Sequence, residues 1–96
     1  LIWSKTGGFC MVELKHTTTN KIRISPFQYL FHKTRSELIN GKHCNFWLVN
    51  QAPQGKPRSV ILYGSNAVDA LKIGIDKAAP LAVNDWPLIQ KIIGNF

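Results

Sequence analysis

The sequence predicts an α/β domain with a mixed β-sheet flanked by helices, and three observations carry that expectation. An apolar strand with one embedded acid runs over 9–14, a strongly marked helix start stands at Ser25 and Pro26, and two aromatic and β-branched runs, 45–49 and 59–63, bracket a polar loop. The 96 residues suffice for one core and are too few for two, so residues 1–96 are read as a single domain. A composition of 45% hydrophobic and 18% charged residues is that of an ordinary globular chain.

Taken in order, Gly7 and Gly8 punctuate the N-terminal stretch, and Phe9 to Leu14 follows as a strand. Strand side chains alternate, so Phe9, Met11, Glu13 and Lys15 share one face while Cys10, Val12 and Leu14 share the other. Thr17 to Asn20 reads as a turn and Ile22 to Ile24 as a short extended return. Ser25 is a good N-cap, Pro26 suits the first helical position, and Gln28 stands where a capping box requires Glu or Gln. Ile24 and Tyr29 are placed for the accompanying hydrophobic staple. Phe27, Leu30, Phe31, Thr34 and Leu38 recur at helical spacing, with Gln28, His32, Lys33, Arg35 and Ser36 on the opposite side and a stop at Asn40 and Gly41.

The runs Asn45 to Val49 and Ser59 to Tyr63 are expected to pair as an antiparallel hairpin across the loop Asn50 to Arg58, which holds Pro53, Gly55 and Pro57. Ala67 to Ile75 fits either a short helix or an extended segment. Asp85 then caps a last helix, Trp86 to Ile93, with Pro87 in its first turn and Gly94 at its end. The sequence contains no internal repeat or low-complexity tract.

Lys and Arg number 12 against 5 Asp and Glu, giving a net charge of +7 and a pI near 9.8, which favours polyanionic partners and nucleic acid first among them. The bland alternative is a solvated basic surface without a specific ligand. Cys10 and Cys44 lie in apolar stretches rather than at the spacings of a disulfide framework, which points to a reducing, intracellular setting. Lys, Asn, Asp and Gly interrupt every apolar run before it reaches membrane-spanning length. The sequence begins with Leu1 rather than Met, as expected of a processed product or a piece of a larger protein.

Chemistry is concentrated in the strand Cys10-Met11-Val12-Glu13-Leu14-Lys15, which sets an acid and a base two residues apart at the end of what reads as a buried strand. Charges there are costly without compensation. A carboxylate in that place can hold Mg²⁺ or Mn²⁺ together with phosphate oxygens, and the neighbouring ammonium can orient water or stabilise developing negative charge. For the tripeptide alone, a strand end emerging into solvent is the better reading.

The surrounding residues change that balance. Glu13, Lys15 and Thr17, followed by a turn, by Ile24 and Ser25 opening a helix, and by the strands Phe46 to Val49 and Val60 to Tyr63, resemble the later half of the PD-(D/E)XK, or restriction-endonuclease-like, nuclease superfamily. The likeness covers roughly Gly8 to Tyr63 and is strongest to small domains in which Glu-x-Lys-x-Thr precedes an Ile-Ser helix start. It implies a restriction-endonuclease-like fold, Mg²⁺ or Mn²⁺ as cofactor, DNA as substrate, and Glu13 and Lys15 as catalytic residues, Glu13 being the metal ligand. The family also carries an earlier metal-binding acid on the preceding strand, whereas Glu13 is the first carboxylate in this sequence. That acid would come from a larger parent protein or from a partner such as a second copy of the chain, or else the fold persists without the activity. Glu37, near the end of the helix, is better read as a surface residue than as a migrated acid.

The remaining candidates are weaker. His16 adjoins Glu13 and Lys15 and is placed to touch phosphate, although an exposed strand-end residue explains it as well. His32 and His43 have no evident ligand partners, and Cys44 beside His43 lacks the paired Cys-x-x-Cys spacing of structural zinc. His43 and Cys44 would point to opposite faces of a strand, which argues against a nucleophilic pair. Gly7-Gly8 lacks the further glycines of a phosphate loop. Lys5, His16, Lys21, Arg23, Lys33 and Arg35 are the expected backbone contacts to nucleic acid, with Lys56 and Arg58 in the hairpin loop. Trp3, Trp47 and Trp86 could stack on bases, but in so small a domain they fit the core better. A non-catalytic nucleic-acid-binding or assembly module is the main alternative to a nuclease, and a protein-interaction domain such as an inhibitor of an acidic partner is the third reading.

Overall fold

The computed structural model describes residues 2–3, 9–34, 38–39, 42–43 and 45–94, with side chains described within 11–34 and 45–94. Its longest strand is β2 (Phe9–Thr17), which carries β1 (Ile2–Trp3) antiparallel on one edge. On its other edge it pairs in parallel with β5 (Asn45–Gln51), which pairs antiparallel with β6 (Ser59–Gly64), and β6 with β7 (Ala82–Val83). The resulting five-stranded sheet has the order β1-β2-β5-β6-β7. The parallel step requires a crossover, and α1 (Pro26–Thr34) lies within it. The sheet is therefore mixed, as expected, and the hairpin of β5 and β6 forms with Trp47 opposite Tyr63 and Leu48 opposite Leu62.

Alternation along β5 and β6 divides the core into two layers. Trp47, Val49, Ile61 and Tyr63 pack with Val68 and Leu71 of α2 (Val68–Ile73) and with Tyr29 of α1. Phe46 and Leu62 point the other way and pack with Ile89 and Ile93 of α3 (Trp86–Gly94), backed by Val12, Leu48 and Val60. Burying each large side chain contributes roughly 1.5–3 kcal/mol, so a sheet covered on both sides is what holds a chain of this size together. Short 3₁₀ turns, Ser65–Ala67 and Ile75–Lys77, flank α2, which settles 67–75 as helical. Asp85 caps α3 as expected, its Oδ1 accepting from Leu88 N–H at 3.1 Å.

Ser25 and Gln28 form the capping box in full. Gln28 N–H donates to Ser25 Oγ at 3.1 Å, and Ser25 N–H donates to Gln28 Oε1 at 3.1 Å. The helix that follows departs from expectation in its length and in its buried face. It ends at Thr34, whose hydroxyl donates back to the carbonyls of Leu30 and Phe31, and Leu38–Ile39 (β3) pairs antiparallel with Lys42–His43 (β4). The two residues between those strands in sequence are Asn40 and Gly41, a favoured hairpin dipeptide that also reads as a helix stop.

The second departure is a reversal of sides. Phe27 and Leu30 are 79% and 59% exposed, whereas His32, assigned to the outer side, is fully buried. The sheet face beneath α1 carries Glu13 and Lys15, and Gln28 and His32, four residues apart on one helix face, turn to meet those charges. Ile22–Ile24 forms no strand; both isoleucines pack against the Trp47 layer instead. The preceding turn is tied down by Asn20, whose amide exchanges bonds of 2.7 and 2.9 Å with Asp76, and whose carbonyl accepts from Ile75 N–H at 2.7 Å.

Candidate active site

Strand alternation places Glu13 and Lys15 on the α1 side of β2, in register with Trp47 and Val49 of β5. Both charged groups converge on Gln28. Lys15 Nζ donates to Gln28 Oε1 at 2.8 Å, and Gln28 Nε2 approaches Glu13 Oε2 at 3.4 Å. The oxygen that receives Lys15 is also the one that closes the capping box with Ser25, so the start of α1 and the pair Glu13 and Lys15 are fixed by a single side chain. Glu13 keeps 27% of its side chain exposed.

Behind this pair lies His32. Its ring stacks on the Trp47 indole at a centroid distance of 4.0 Å, and its Nδ1 lies 2.6 Å from the buried Ser65 hydroxyl. Its Nε2 is buried, has no hydrogen-bond partner and faces Glu13 Oε1 at 4.0 Å, beyond hydrogen-bonding distance. Burial first, and the neighbouring Lys15 ammonium second, together push the imidazole pKa down to about 4, so at neutral pH the ring is uncharged. The contact with Glu13 is therefore not an ion pair at that pH.

The other expected site residues are spread over the molecule. His16 sits on the α3 side of β2, exposed, with its Nδ1 3.2 Å from Asn50 Nδ2. Lys21 and Arg23 are exposed just past the end of β2. Lys33 donates to Asp69 on the outer surface, where Tyr29 Oη also donates to that carboxylate at 2.8 Å. Those hydrogen bonds hold the Asp69 carboxyl below its usual range. Lys5 and Arg35 lie outside the described residues, as do Gly7-Gly8, Glu37 and Cys44. Trp47 belongs to the core, whereas Trp86 is 53% exposed and, with Leu14, Lys15, His16 and Arg58, lines a shallow groove of about 350 Å³ on the α3 side.

Gln28 and His32 are the site residues that sequence reasoning assigned to the wrong side. Their signal was present as two polar residues at i and i+4 following a strand whose odd positions carry a carboxylate and an ammonium.

Glu13 is the single carboxylate at the site among the described residues, where no three His, Cys, Asp or Glu side chains gather. Mg²⁺ is commonly held by one or two carboxylates, with water and substrate phosphate oxygens completing its shell, so Glu13 is the residue here that could hold such an ion. No helix among the described residues is long and apolar enough to cross a membrane. Comparisons of the chain with known protein families, with characterised proteins and with solved structures find no match.

Proposed function

We propose that this chain is a metal-dependent nuclease-like domain on a restriction-endonuclease-like scaffold that hydrolyses phosphodiester bonds in DNA. The observation that carries the reading is the pair Glu13 and Lys15, set side by side on a β-strand and both held by Gln28 at the start of the following helix. The strand, helix, strand and hairpin order, with β2 and β5 parallel, supports the same resemblance.

In this mechanism Glu13 would hold Mg²⁺ or Mn²⁺, which when bound would supply an activated water and charge compensation for the scissile phosphate. Lys15, whose ammonium already has one fixed acceptor in Gln28, presents its remaining protons to the non-bridging phosphate oxygens as negative charge develops. Lys21 and Arg23, exposed beyond the end of β2, would contact backbone phosphates. A second acid would be contributed by a second copy or by a larger parent protein. Action on DNA would place the domain in the cytoplasm or nucleus.

The test is cleavage of plasmid and single-stranded DNA with Mg²⁺ or Mn²⁺. Glu13→Gln is expected to abolish metal-dependent cutting, and Lys15→Ala to slow it by about 10²–10³-fold, with thermal unfolding little changed in either. Undiminished cutting in a variant removes that residue from the mechanism. The presence of only one carboxylate at the site among the described residues favours a second reading, a nucleic-acid-binding module with a degenerate site. Salt-sensitive DNA binding without cutting under any metal would select that reading.

A further inference from the structure

The two edges of β2 are covered unequally. Along one, Met11 to Thr17 run in register with Asn45 to Gln51 of β5; along the other, among the described residues, β1 covers only Phe9 and Cys10. Backbone N–H and C=O groups alternate between the edges of a strand. Met11 N–H turns to β5, reaching Asn45 Oδ1 at 3.4 Å, and the Thr17 carbonyl accepts from Ala52 N–H, just past the end of β5, at 2.8 Å. The odd positions therefore bond towards β5, and the backbone groups of Val12, Leu14 and His16 point to the uncovered edge. A row of open donors and acceptors on an edge strand is a template for another strand. Leu14 stands in the middle of that row and is 71% exposed, with His16 exposed beside it.

Edges of this kind are commonly protected by charge, and here the charges select a partner instead. A second β2 laid antiparallel must bring even positions opposite even positions, so that their N–H and C=O groups meet. The central registers that satisfy this differ in what faces Glu13. Centring on Glu13 sets two carboxylates across from each other, and centring on Lys15 sets two ammoniums across from each other, both of which repel. Centring on Leu14 sets Glu13 across from Lys15 of the second copy, and Lys15 across from its Glu13. These rungs carry no backbone bonds, so the facing side chains come closest there, with Cα atoms about 4.5 Å apart. Leu14 then meets Leu14 of the second copy, exchanging both backbone bonds, and Val12 meets His16 in the same way.

We propose that a second copy of this chain pairs antiparallel along the open edge of β2, in the register centred on Leu14, and joins two sheets into one. The dimer needs neither metal nor DNA, so it goes beyond the catalytic reading of Glu13 and Lys15. It also gives that reading a route to its second acid, because the two Glu13 become diagonal neighbours on one face, about 7–8 Å apart.

Sedimentation velocity of the whole chain over a concentration series reads the association, and amide hydrogen exchange reads its location. Expected are a monomer–dimer equilibrium and, as the dimer fills, slowed exchange at Val12, Leu14 and His16. The Glu13 and Lys15 amides, already turned to β5, should not change. Leu14→Asp, at an exposed position, should weaken association at least about tenfold and leave unfolding of the monomer unchanged. Charge tests the register. Glu13→Lys and Lys15→Glu each set like charges across a rung and should give monomers, whereas an equimolar mixture of the two variants should form a heterodimer. If either charge variant does not fold, wild-type exchange and Leu14→Asp decide. A chain that stays monomeric at every concentration overturns the proposal, as does a dimer that protects other amides or ignores Leu14→Asp. DNA cleavage by a strictly monomeric chain overturns it too, while leaving the nuclease reading in place.

Discussion

On the α3 side of the sheet, Val12 and Leu48 join Phe46, Leu62, Ala82, Ile89 and Ile93 in an apolar layer, whereas on the α1 side the same strands present Glu13, Lys15 and Trp47 to Gln28 and His32. The two layers share a backbone and differ in the forces that assemble them. The α3 layer is held by area removed from water, which is insensitive to small rotations. The α1 side has its own apolar cluster around Trp47, Val49, Ile61 and Tyr63 and adds to it directed bonds at β2, where the position of each polar atom matters and a displacement of an ångström breaks a bond. Alternation along β2 keeps the two apart, because Val12 packs on the α3 side while Glu13 and Lys15 turn to α1.

That contrast can be broken or sharpened by three measurements. The largest effect belongs to the apolar layer. Phe46→Ala, which empties a fully buried site under α3, should cost about 3–5 kcal/mol in urea unfolding. Metal binding per folded molecule should remain as in the wild type; a loss of binding in the folded fraction would show that the layers are not independent.

The second concerns acid. His32 has a folded-state pKa of about 4, below the unfolded value of 6.5, so the unfolded chain takes up the proton first as pH falls. The stability this neutral ring permits is fully present above pH 6.5, falls as pH drops from there to about 4, and levels off below. The loss amounts to on the order of 3 kcal/mol. Unfolding midpoints in metal-free buffer at pH 7, 5.5 and 4 should show this trend in the wild type and a flatter one in His32→Gln. Parallel curves would mean that His32 titrates as an exposed residue. The carboxyl of Asp69, held low by Lys33 and Tyr29, weakens the fold only at more acid pH, so the two windows are separable.

The smallest effect is the most local. Gln28→Ala removes one half of the capping box and should cost about 1 kcal/mol, while releasing Lys15 from its 2.8 Å bond. A drop in DNA cleavage much larger than the drop in stability would show that Gln28 positions the site as well as the helix. Proportionate losses would reduce it to a cap.

Much of this architecture was legible in short stretches of sequence. Ser25, Pro26 and Gln28 announced the helix start, and the aromatic and β-branched runs announced β5 and β6, because caps and pleated strands are decided by neighbours in sequence. The buried side of α1 was not legible. Phe27 and Leu30 are the more apolar residues, and periodicity alone turns them inward; the structure leaves them in solvent because the sheet under α1 is charged. Only the register of β2 on β5, with Glu13 beside Trp47, shows where that charge falls. The end of α1 was obscured for a different reason, since Asn40-Gly41 marks both a helix stop and a hairpin. Glu13 and Lys15 were legible as a pair, whereas His32 was not, because its partners Trp47 and Ser65 come from other elements.

The doubled role of Gln28 has a consequence for how such a site changes over generations. A capping box accepts Glu as readily as Gln, so exchanging this amide for a carboxylate leaves the helix start intact. It also sets a second acid beside Glu13, at the position from which the amide now reaches Glu13 Oε2. In the genetic code that exchange is one nucleotide. A site with a single carboxylate among the described residues is thus adjacent, in mutational space, to one with two.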